Sequence, residues 1–218
     1  MLPLQLGTRG PNAPLTMLCL GAHSDDIEIG CGGTILRLLA EHPGSTVHWM
    51  VFSAPGERER EARASAAAFC ADAGTTTVHT AQFRESFFPS EWVAIKERFE
   101  ALRASVEPDV VLTHHREDVH QDHRTLAELT WNTFRNHLVL AYEIPKYEGD
   151  LGNPNVFVPL SRAHAERKVE LLLAHFGSQR TRNWFRADTF HGLMSIRGVE
   201  CHAPDARAEA FHGRKLTL

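Results

Sequence analysis

The stretch Leu18-Cys-Leu-Gly-Ala-His23-Ser-Asp25-Asp26-Ile-Glu28-Ile-Gly-Cys-Gly-Gly33 decides the reading of this chain. An apolar run ends in a glycine, and a histidine and two adjacent carboxylates follow it at once. Such a run is typical of a buried strand, and polar groups just past the carboxyl end of a strand lie where open α/β sheets bind their ligands. The stretch therefore predicts a functional site at the end of a first strand.

A second stretch repeats this design much later in the chain. In Val110-Val-Leu-Thr-His-His-Arg-Glu-Asp118-Val-His120-Gln-Asp122-His123, a short apolar run again gives way to closely spaced His and Asp. Because both clusters follow predicted strands, we expect the two loops to converge on one metal ion.

Strands and helices alternate along the first two thirds of the sequence. Predicted strands cover 15–21, 46–52, 75–81, a segment from Val110, and 137–144. Predicted helices begin near Thr34, after a glycine cluster, and cover 57–73, 91–106 and 124–136. This alternation indicates parallel strands covered by helices on both faces, a three-layer α/β sandwich with a mostly parallel central sheet. A short strand near Val156, a helix over 162–176 and a mixed tail complete the prediction.

Length and composition favour one globular domain over residues 1–218, with residues 1–14 as a loose, proline-rich leader. The chain is 43% hydrophobic and 23% charged, as in ordinary soluble proteins. A formal net charge of -4 offers no basic field for nucleic acid. No apolar run approaches the ~20 residues of a membrane span, and no signal-peptide core is seen. The oligomeric state is left open, and a homo-oligomer is compatible with the sequence.

The four cysteines are scattered and form no CxxC pair; they are Cys19, Cys31, Cys70 and Cys201. Their settings are mostly apolar or helical, which favours buried free thiols over disulfides. Free thiols suit a reducing compartment, so we expect a cytoplasmic protein.

The metal-ligating candidates are His23, Asp26 and His123. Two imidazoles and one carboxylate suit Zn²⁺ or Fe²⁺ and leave coordination positions open for water and substrate. Bound Zn²⁺ lowers the pKa of its water and polarises a carbonyl oxygen, the two needs of amide hydrolysis. Asp25, beside a ligand in sequence, is the candidate general base that takes a proton from water and passes it to the departing amine.

The second loop adds a candidate pair for stabilising negative charge. We expect the Asp122 carboxylate to orient His120 and keep it protonated, so that the imidazolium donates to the oxyanion of a tetrahedral intermediate. Taken alone, Asp122 would be interpreted as a helix N-cap and Asp118 as a turn residue. His114 is expected to line the strand end rather than bind metal.

The two loops resemble those of the LmbE-like or PIG-L-type zinc-dependent N-deacetylases. Members carry Ala-His-Pro-Asp-Asp-Glu and a His-x-Asp-His signature, which stand here as Ala22-His-Ser-Asp-Asp26 and His120-Gln-Asp-His123. The resemblance implies a Rossmann-like fold and removal of an N-acetyl group from an amino sugar or glycoconjugate. It also implies a metal held by His23, Asp26 and His123, with Asp25 as base and His120 and Asp122 as the oxyanion pair.

The resemblance extends to a helix start, Arg58-Glu-Arg-Glu61-Ala62, and to the later blocks Ser178-Gln179 and Ala208-Glu-Ala-Phe211. Arg58 matches the family arginine that contacts sugar hydroxyls, and Glu85, after the third strand, is a second substrate-binding candidate. Ser24 and Ile27 depart from the family pattern, but neither is among the inferred ligands. Asp118 stands where some members place a tyrosine thought to help the oxyanion.

Parts of the sequence also suggest two other functions and a second substrate class. The glycines at 30–33 suggest a dinucleotide-binding turn, but Asp25, Asp26 and Glu28 would repel a pyrophosphate. The same His, Asp, His set would suit a non-haem iron oxygenase. A sugar-linked amide of another kind, such as a thiol-sugar conjugate, is a further substrate class that the resemblance allows.

Overall fold

The computed structural model describes residues 6, 10 and 12–216, and these form seven strands and six α-helices. The strands are β1 Thr16–His23, β2 Thr46–Ser53, β3 Thr75–Thr80, β4 Val110–His114, β5 Leu138–Tyr142, β6 Val156–Pro159 and β7 Ala208–Gly213. The helices are α1 Asp26–Glu41, α2 Glu57–Phe69, α3 Trp92–Ser105, α4 Gln121–Thr133, α5 Arg162–His175 and α6 Ala187–Glu200. The predicted leader lies largely outside the described residues.

All seven strands form one sheet in the order β3-β2-β1-β4-β5-β7-β6. The first five strands pair in parallel, whereas β7 runs antiparallel to β5 and to β6. Apolar side chains fill both faces of the sheet, with one core layer under α1, α2, α5 and α6 and another under α3 and α4. The predicted three-layer α/β class with a mostly parallel sheet is confirmed.

The order of the strands reverses between β1 and β4. These strands are neighbours in the middle of the sheet, but the chain leaves β1 towards β2 on one side and β4 towards β5 on the other. Open α/β sheets bind ligands at the carboxyl ends of the strands at such a switch point. Both sequence motifs follow these two strands, so the topology brings them to one edge of the sheet.

The predicted start of the first helix is wrong: α1 begins at Asp26, well before Thr34. The glycines lie inside the helix, where they permit close packing. A Cβ at Gly30 would lie 2.2 Å from Cδ2 of Tyr142, and one at Gly32 would lie 2.6 Å from Cε1 of Phe69. The helix kinks at Cys31, whose φ of -145° is not helical. The glycine cluster therefore serves packing against side chains rather than a turn.

Two further predictions need correction. Helix α4 begins at Gln121 rather than Arg124, so Asp122 and His123 lie in its first turn. The tail is more regular than predicted, because it holds α6 and β7, and β7 inserts between β5 and β6. Tertiary pairing rather than local pattern decides that position.

The cysteine prediction is confirmed, since all four cysteines are free and buried. Within the described part of the chain, no helix combines the length and the apolar character needed to cross a bilayer.

Candidate active site

The two motifs meet at the carboxyl ends of β1 and β4. His23 is the last residue of β1, and Asp26 is the first residue of α1. His123 lies in the first turn of α4, after the loop that follows β4. Although His23 and His123 are 100 residues apart in sequence, their ring centroids lie 5.3 Å from each other.

One nitrogen of each histidine and the two carboxylate oxygens of Asp26 surround one position. His23 Nδ1 lies 3.3 Å from His123 Nε2 and 3.4 Å from Asp26 Oδ2, and His123 Nε2 lies 3.6 Å from Asp26 Oδ1. A tetrahedral Zn²⁺ with bonds of ~2.0–2.1 Å places its ligand atoms about 3.3–3.4 Å apart. The separations therefore fit a zinc-sized ion, and the three residues form one of the described groups that could hold a metal.

Each of the two histidines is held from behind by a buried carboxylate. Asp122 Oδ2 lies 3.1 Å from His23 Nε2, and Asp118 Oδ2 lies 2.9 Å from His123 Nδ1. Such outer carboxylates fix the tautomer of a metal-binding histidine and raise its basicity. Asp118, interpreted from sequence as a turn residue, is thus part of the site. The only sequence signal for this role is that an acidic residue stands a few positions before His120 and His123.

The outer carboxylates are themselves fixed in different ways. Asp122 accepts hydrogen bonds from the backbone N–H groups of Ser86, at 2.6 Å, and Phe88, at 3.1 Å. Asp118 Oδ1 accepts the N–H of His120 at 2.8 Å. The segment after β3 and the loop after β4 are therefore both tied to the histidines.

The field of the site is negative around His23. Burial alone would lower the pKa of His23, but the charge of Asp26 and the hydrogen bond to Asp122 raise it to about 10. Burial and the neighbouring charge of His114 instead lower the pKa of His123 to about 3. Burial opposes ionisation of Asp26, yet the three surrounding imidazoles hold its pKa well below the usual range. A field that stabilises a proton on His23 would also favour a divalent cation.

Asp25 is buried next to this group and has its own partner. Its Oδ1 lies 2.7 Å from Arg58 Nη2, at the start of α2. Burial raises the pKa of Asp25, the charge of Arg58 lowers it, and the neighbouring Asp26 raises it, with a net rise above the ordinary value. A carboxylate with a raised pKa is better matched to proton transfer near neutral pH than an exposed one.

The predicted contact between the Asp122 carboxylate and His120 is not made. His120 is the N-cap of α4, and its Nδ1 accepts the backbone N–H of Asp122 at 3.3 Å, while the carboxylate points to His23. Burial and the charge of His23 lower the pKa of His120, against the expectation of a retained proton. The centroid of the His120 ring lies 5.1 Å from that of His23 and 4.5 Å from that of His123. A neutral His120 with the proton on Nε2 is still a hydrogen-bond donor.

The two substrate-binding candidates lie on different elements, Arg58 on α2 and Glu85 on the segment after β3. Arg58 is partly buried against Asp25, whereas Glu85 is exposed on the segment after β3. Glu85 is close enough for its charge to raise the pKa of His23. The structure therefore places both near the histidine and carboxylate group, with Glu85 facing solvent.

His114 contributes more than sequence reasoning assigned to it. It is fully buried at the end of β4, its ring stacks on His123 with centroids 4.0 Å apart, and its Nε2 lies 3.1 Å from Asp26 Oδ2. The same nitrogen accepts the N–H of Ala22 at 3.0 Å. His114 thus joins the two strand ends beneath the three candidate ligands.

The sequence of the two loops also matches a known family. Residues 18–134 match the family described as PIG-L: GlcNAc-PI de-N-acetylase. The chain belongs to the PIG-L family. The PIG-L match spans β1 to α4, and so includes both loops that carry the histidines and carboxylates.

Solved structures share the fold of this PIG-L chain. A conserved protein from Thermus thermophilus is 20% identical, with a TM-score of 0.73 and coverage of 94% of this chain and 96% of that chain. N,N'-diacetylchitobiose deacetylase from Pyrococcus horikoshii is 18% identical, with a TM-score of 0.72 and coverage of 94% and 84%. GalB, the 4-carboxy-2-hydroxymuconate hydratase from Pseudomonas putida, is 17% identical, with a TM-score of 0.73 and coverage of 94% and 98%. No curated protein sequence matches the chain.

At these identities the likeness shows the fold alone. The names of the structures include a deacetylase and a hydratase, so one fold carries different reactions. The activity must therefore be argued from the site.

Proposed function

We propose that this chain is a metal-dependent hydrolase that removes an N-acetyl group from an amino sugar or glycoconjugate. The observation that carries the proposal is the group of His23 Nδ1, His123 Nε2 and the Asp26 carboxylate, whose separations fit a zinc-sized ion. A second carboxylate, Asp25, lies beside this group without belonging to it. Membership in the PIG-L family supports a deacetylase acting on a sugar-linked amide.

In this proposal, Zn²⁺ is held by His23, Asp26 and His123, and Fe²⁺ would suit the same ligands. A bound Zn²⁺ lowers the pKa of water and polarises a carbonyl oxygen. Asp122 and Asp118 each contact one nitrogen of an imidazole, which leaves the other nitrogen of His23 and of His123 available to hold the cation. The chain therefore supplies a charged, pre-oriented set of ligands.

The remaining steps belong to side chains beside the metal ligands. Asp25 takes a proton from the attacking water and later delivers it to the departing amine. Its pKa, raised by burial and moderated by Arg58, suits both transfers. His120 donates an Nε2–H hydrogen bond to the oxygen that becomes negative. The backbone N–H of Asp122 supports this role, because it donates to Nδ1 of His120 and so leaves the proton on Nε2. Arg58 and Glu85 are proposed to contact sugar hydroxyls.

Two narrower points remain part of the proposal. The acyl group and the acceptor are open, so an amide of another sugar conjugate, such as a thiol-sugar conjugate, is a second substrate class. The four free, buried cysteines support a reducing, cytoplasmic location.

The test is amine release from a panel of N-acetylated sugars and glycoconjugates, detected with fluorescamine, with added Zn²⁺ and with a chelator. We expect release with Zn²⁺ and loss with the chelator. Asp25→Asn should lower kcat by about 10²–10⁴-fold without loss of zinc binding, because it removes only the base. Asp72→Asn, at an exposed aspartate, is the matched control and should behave as wild type.

An oxygen electrode separates hydrolysis from iron oxygenase chemistry, which the same ligands would suit. Amine release without oxygen uptake supports the hydrolase. Failure to release amine from every amide tested, or a full rate in Asp25→Asn, would contradict the proposal.

A further inference from the structure

A buried lysine lies behind the second motif, on the segment that follows β5. The Lys146 side chain is only 9% exposed, and its Nζ lies 3.0 Å from Asp118 Oδ2. The same ammonium group lies 2.6 Å and 2.7 Å from the two carboxylate oxygens of Asp150. One cation therefore joins two buried acids.

Lys146 contacts the same oxygen that holds the candidate metal ligand. Asp118 Oδ2 faces both Lys146 Nζ and His123 Nδ1, while its other oxygen accepts the N–H of His120. Asp118 can therefore not turn away from His123 without losing its contact with the lysine. The orientation of His123 depends in this way on a residue in another loop.

The two loops are bound together at a second point. Asp150 Oδ2 accepts the backbone N–H of Val119 at 2.7 Å. Val119 lies between Asp118 and His120, which are themselves joined by a hydrogen bond. Lys146 and Asp150 thus hold the 118–120 loop by one charged and one backbone contact. Neither interaction belongs to the sequence motif that carries His120 and His123.

The charge balance explains why a cation is needed here. Asp118 and Asp150 both touch the same ammonium group, so without it two acids would face each other with little water. A buried charge that loses its partner is strongly unfavourable, so the 118–120 loop would move away from Asp150. That movement would weaken the contact of Asp118 with His123.

We propose that Lys146 is a positioning residue of the metal centre, which fixes Asp118 so that His123 presents Nε2 to the cation. The inference rests on the proposed metal-dependent function, and it adds the 146–150 segment to the groups that determine metal affinity. Lys146 itself neither binds the ion nor touches the substrate. Its effect passes through Asp118.

The test measures the Zn²⁺ dissociation constant by competition with a chromophoric chelator, in the absence of substrate. Lys146→Met should weaken zinc binding by about 10–100-fold, the usual effect of losing an outer partner of a metal ligand. Lys146→Arg should restore most of the affinity, because it returns the positive charge. Lys96→Met is the matched control, since Lys96 pairs with Glu100 within α3 and with Thr133 at the end of α4 opposite His123, and it should bind zinc as wild type does.

A double-mutant cycle separates positioning from a merely structural role. In the Asp118→Asn background, Lys146→Met should change zinc affinity by no more than about twofold, because the lysine acts through the missing carboxylate. Lys146→Gln, which keeps a polar group but not the charge, gives the same comparison should the methionine variant not fold.

Wild-type zinc affinity in both uncharged variants would overturn the inference, as would an equal loss in the Asp118→Asn background. Tight zinc binding by wild type without amine release would instead count against the proposed function alone.

Discussion

The two candidate metal histidines have the same proposed role but are supported by different parts of the chain. His23 is backed by Asp122, whose carboxylate is fixed by two backbone N–H groups of the segment after β3. His123 is supported by Asp118, whose carboxylate accepts one backbone N–H, that of His120, and otherwise depends on the side chain of Lys146. Backbone donors are present whatever residues occupy the segment, whereas the ammonium group depends on one lysine. The His123 side should therefore be the more sensitive to substitution outside the motifs.

The largest loss of zinc affinity should come from replacing the proposed ligands themselves. Here the His23 side and the His123 side should behave alike. His23→Ala and His123→Ala should each weaken zinc binding by more than about 100-fold, beyond the usual effect of an outer partner, because each removes one of the three proposed ligands. Equilibrium dialysis with metal analysis measures this loss. His164→Ala, at a partly exposed histidine on α5, is the control and should retain the metal. A ligand variant that keeps wild-type affinity would remove that histidine from the centre.

Replacing the outer carboxylates should give the next largest loss of zinc affinity. These variants should also distinguish the His23 side from the His123 side. Asp122→Asn and Asp118→Asn should each weaken zinc binding by about 10–100-fold. Only Asp122→Asn should also raise KM, because Asp122 fixes the segment that carries Glu85. Zinc titrations and Michaelis curves measure the two effects. Equal KM values in the two variants would show that the segment after β3 does not contact the substrate.

A substitution at Gly30 tests the packing of α1, the helix that follows His23. Gly30→Ala should destabilise the protein by about 1–3 kcal/mol, because the added methyl group would overlap the ring of Tyr142. Gly192→Ala on α6 meets no atom within 4 Å and should be neutral or stabilising by about 0.5–1 kcal/mol. Urea unfolding measures both. Equal stability of the two variants would show that the close approach of α1 to β5 is not needed.

The smallest expected effect concerns the pH dependence set by Asp25. The pKa of this carboxyl is raised, so kcat/KM should fall as the pH is lowered through it, when the base takes up a proton. Arg58 lowers this pKa, so Arg58→Met should move the acid limb of the profile to higher pH. Arg63→Met, one turn further along α2 and paired with Glu59, is the control. If the acid limb does not move, Arg58 does not influence the pKa of the proposed base.

The sequence predicts the ligand set because strand ends and residue types are local signals. An apolar run followed by His23, Asp25 and Asp26 needs only the rule that polar residues after a buried strand face the ligand side. The parallel sheet follows in the same way from alternating strands and helices. The start of α1 was misplaced because the glycines were interpreted as turn signals, although they permit contact with Tyr142 and Phe69.

The supports of the ligands could not be predicted by the same means. Lys146 follows β5 and Asp118 follows β4, and their contact exists only because these strands pair side by side. The direction of the Asp122 carboxylate depends on its rotamer at the start of α4, so the expected partner, His120, was replaced by His23. No periodicity or motif spacing reports a contact of this kind.

The position of β7 has a consequence for how the molecule is assembled. Strand β7, the last strand of the described residues, lies between β5 and β6, and β6 joins the sheet through it. During synthesis, residues 156–159 must therefore wait for residues 208–213 before they gain a neighbour, while the five parallel strands can already associate. A chain cut short before residue 208 would leave the free edge of β5 ready to capture strands from other molecules.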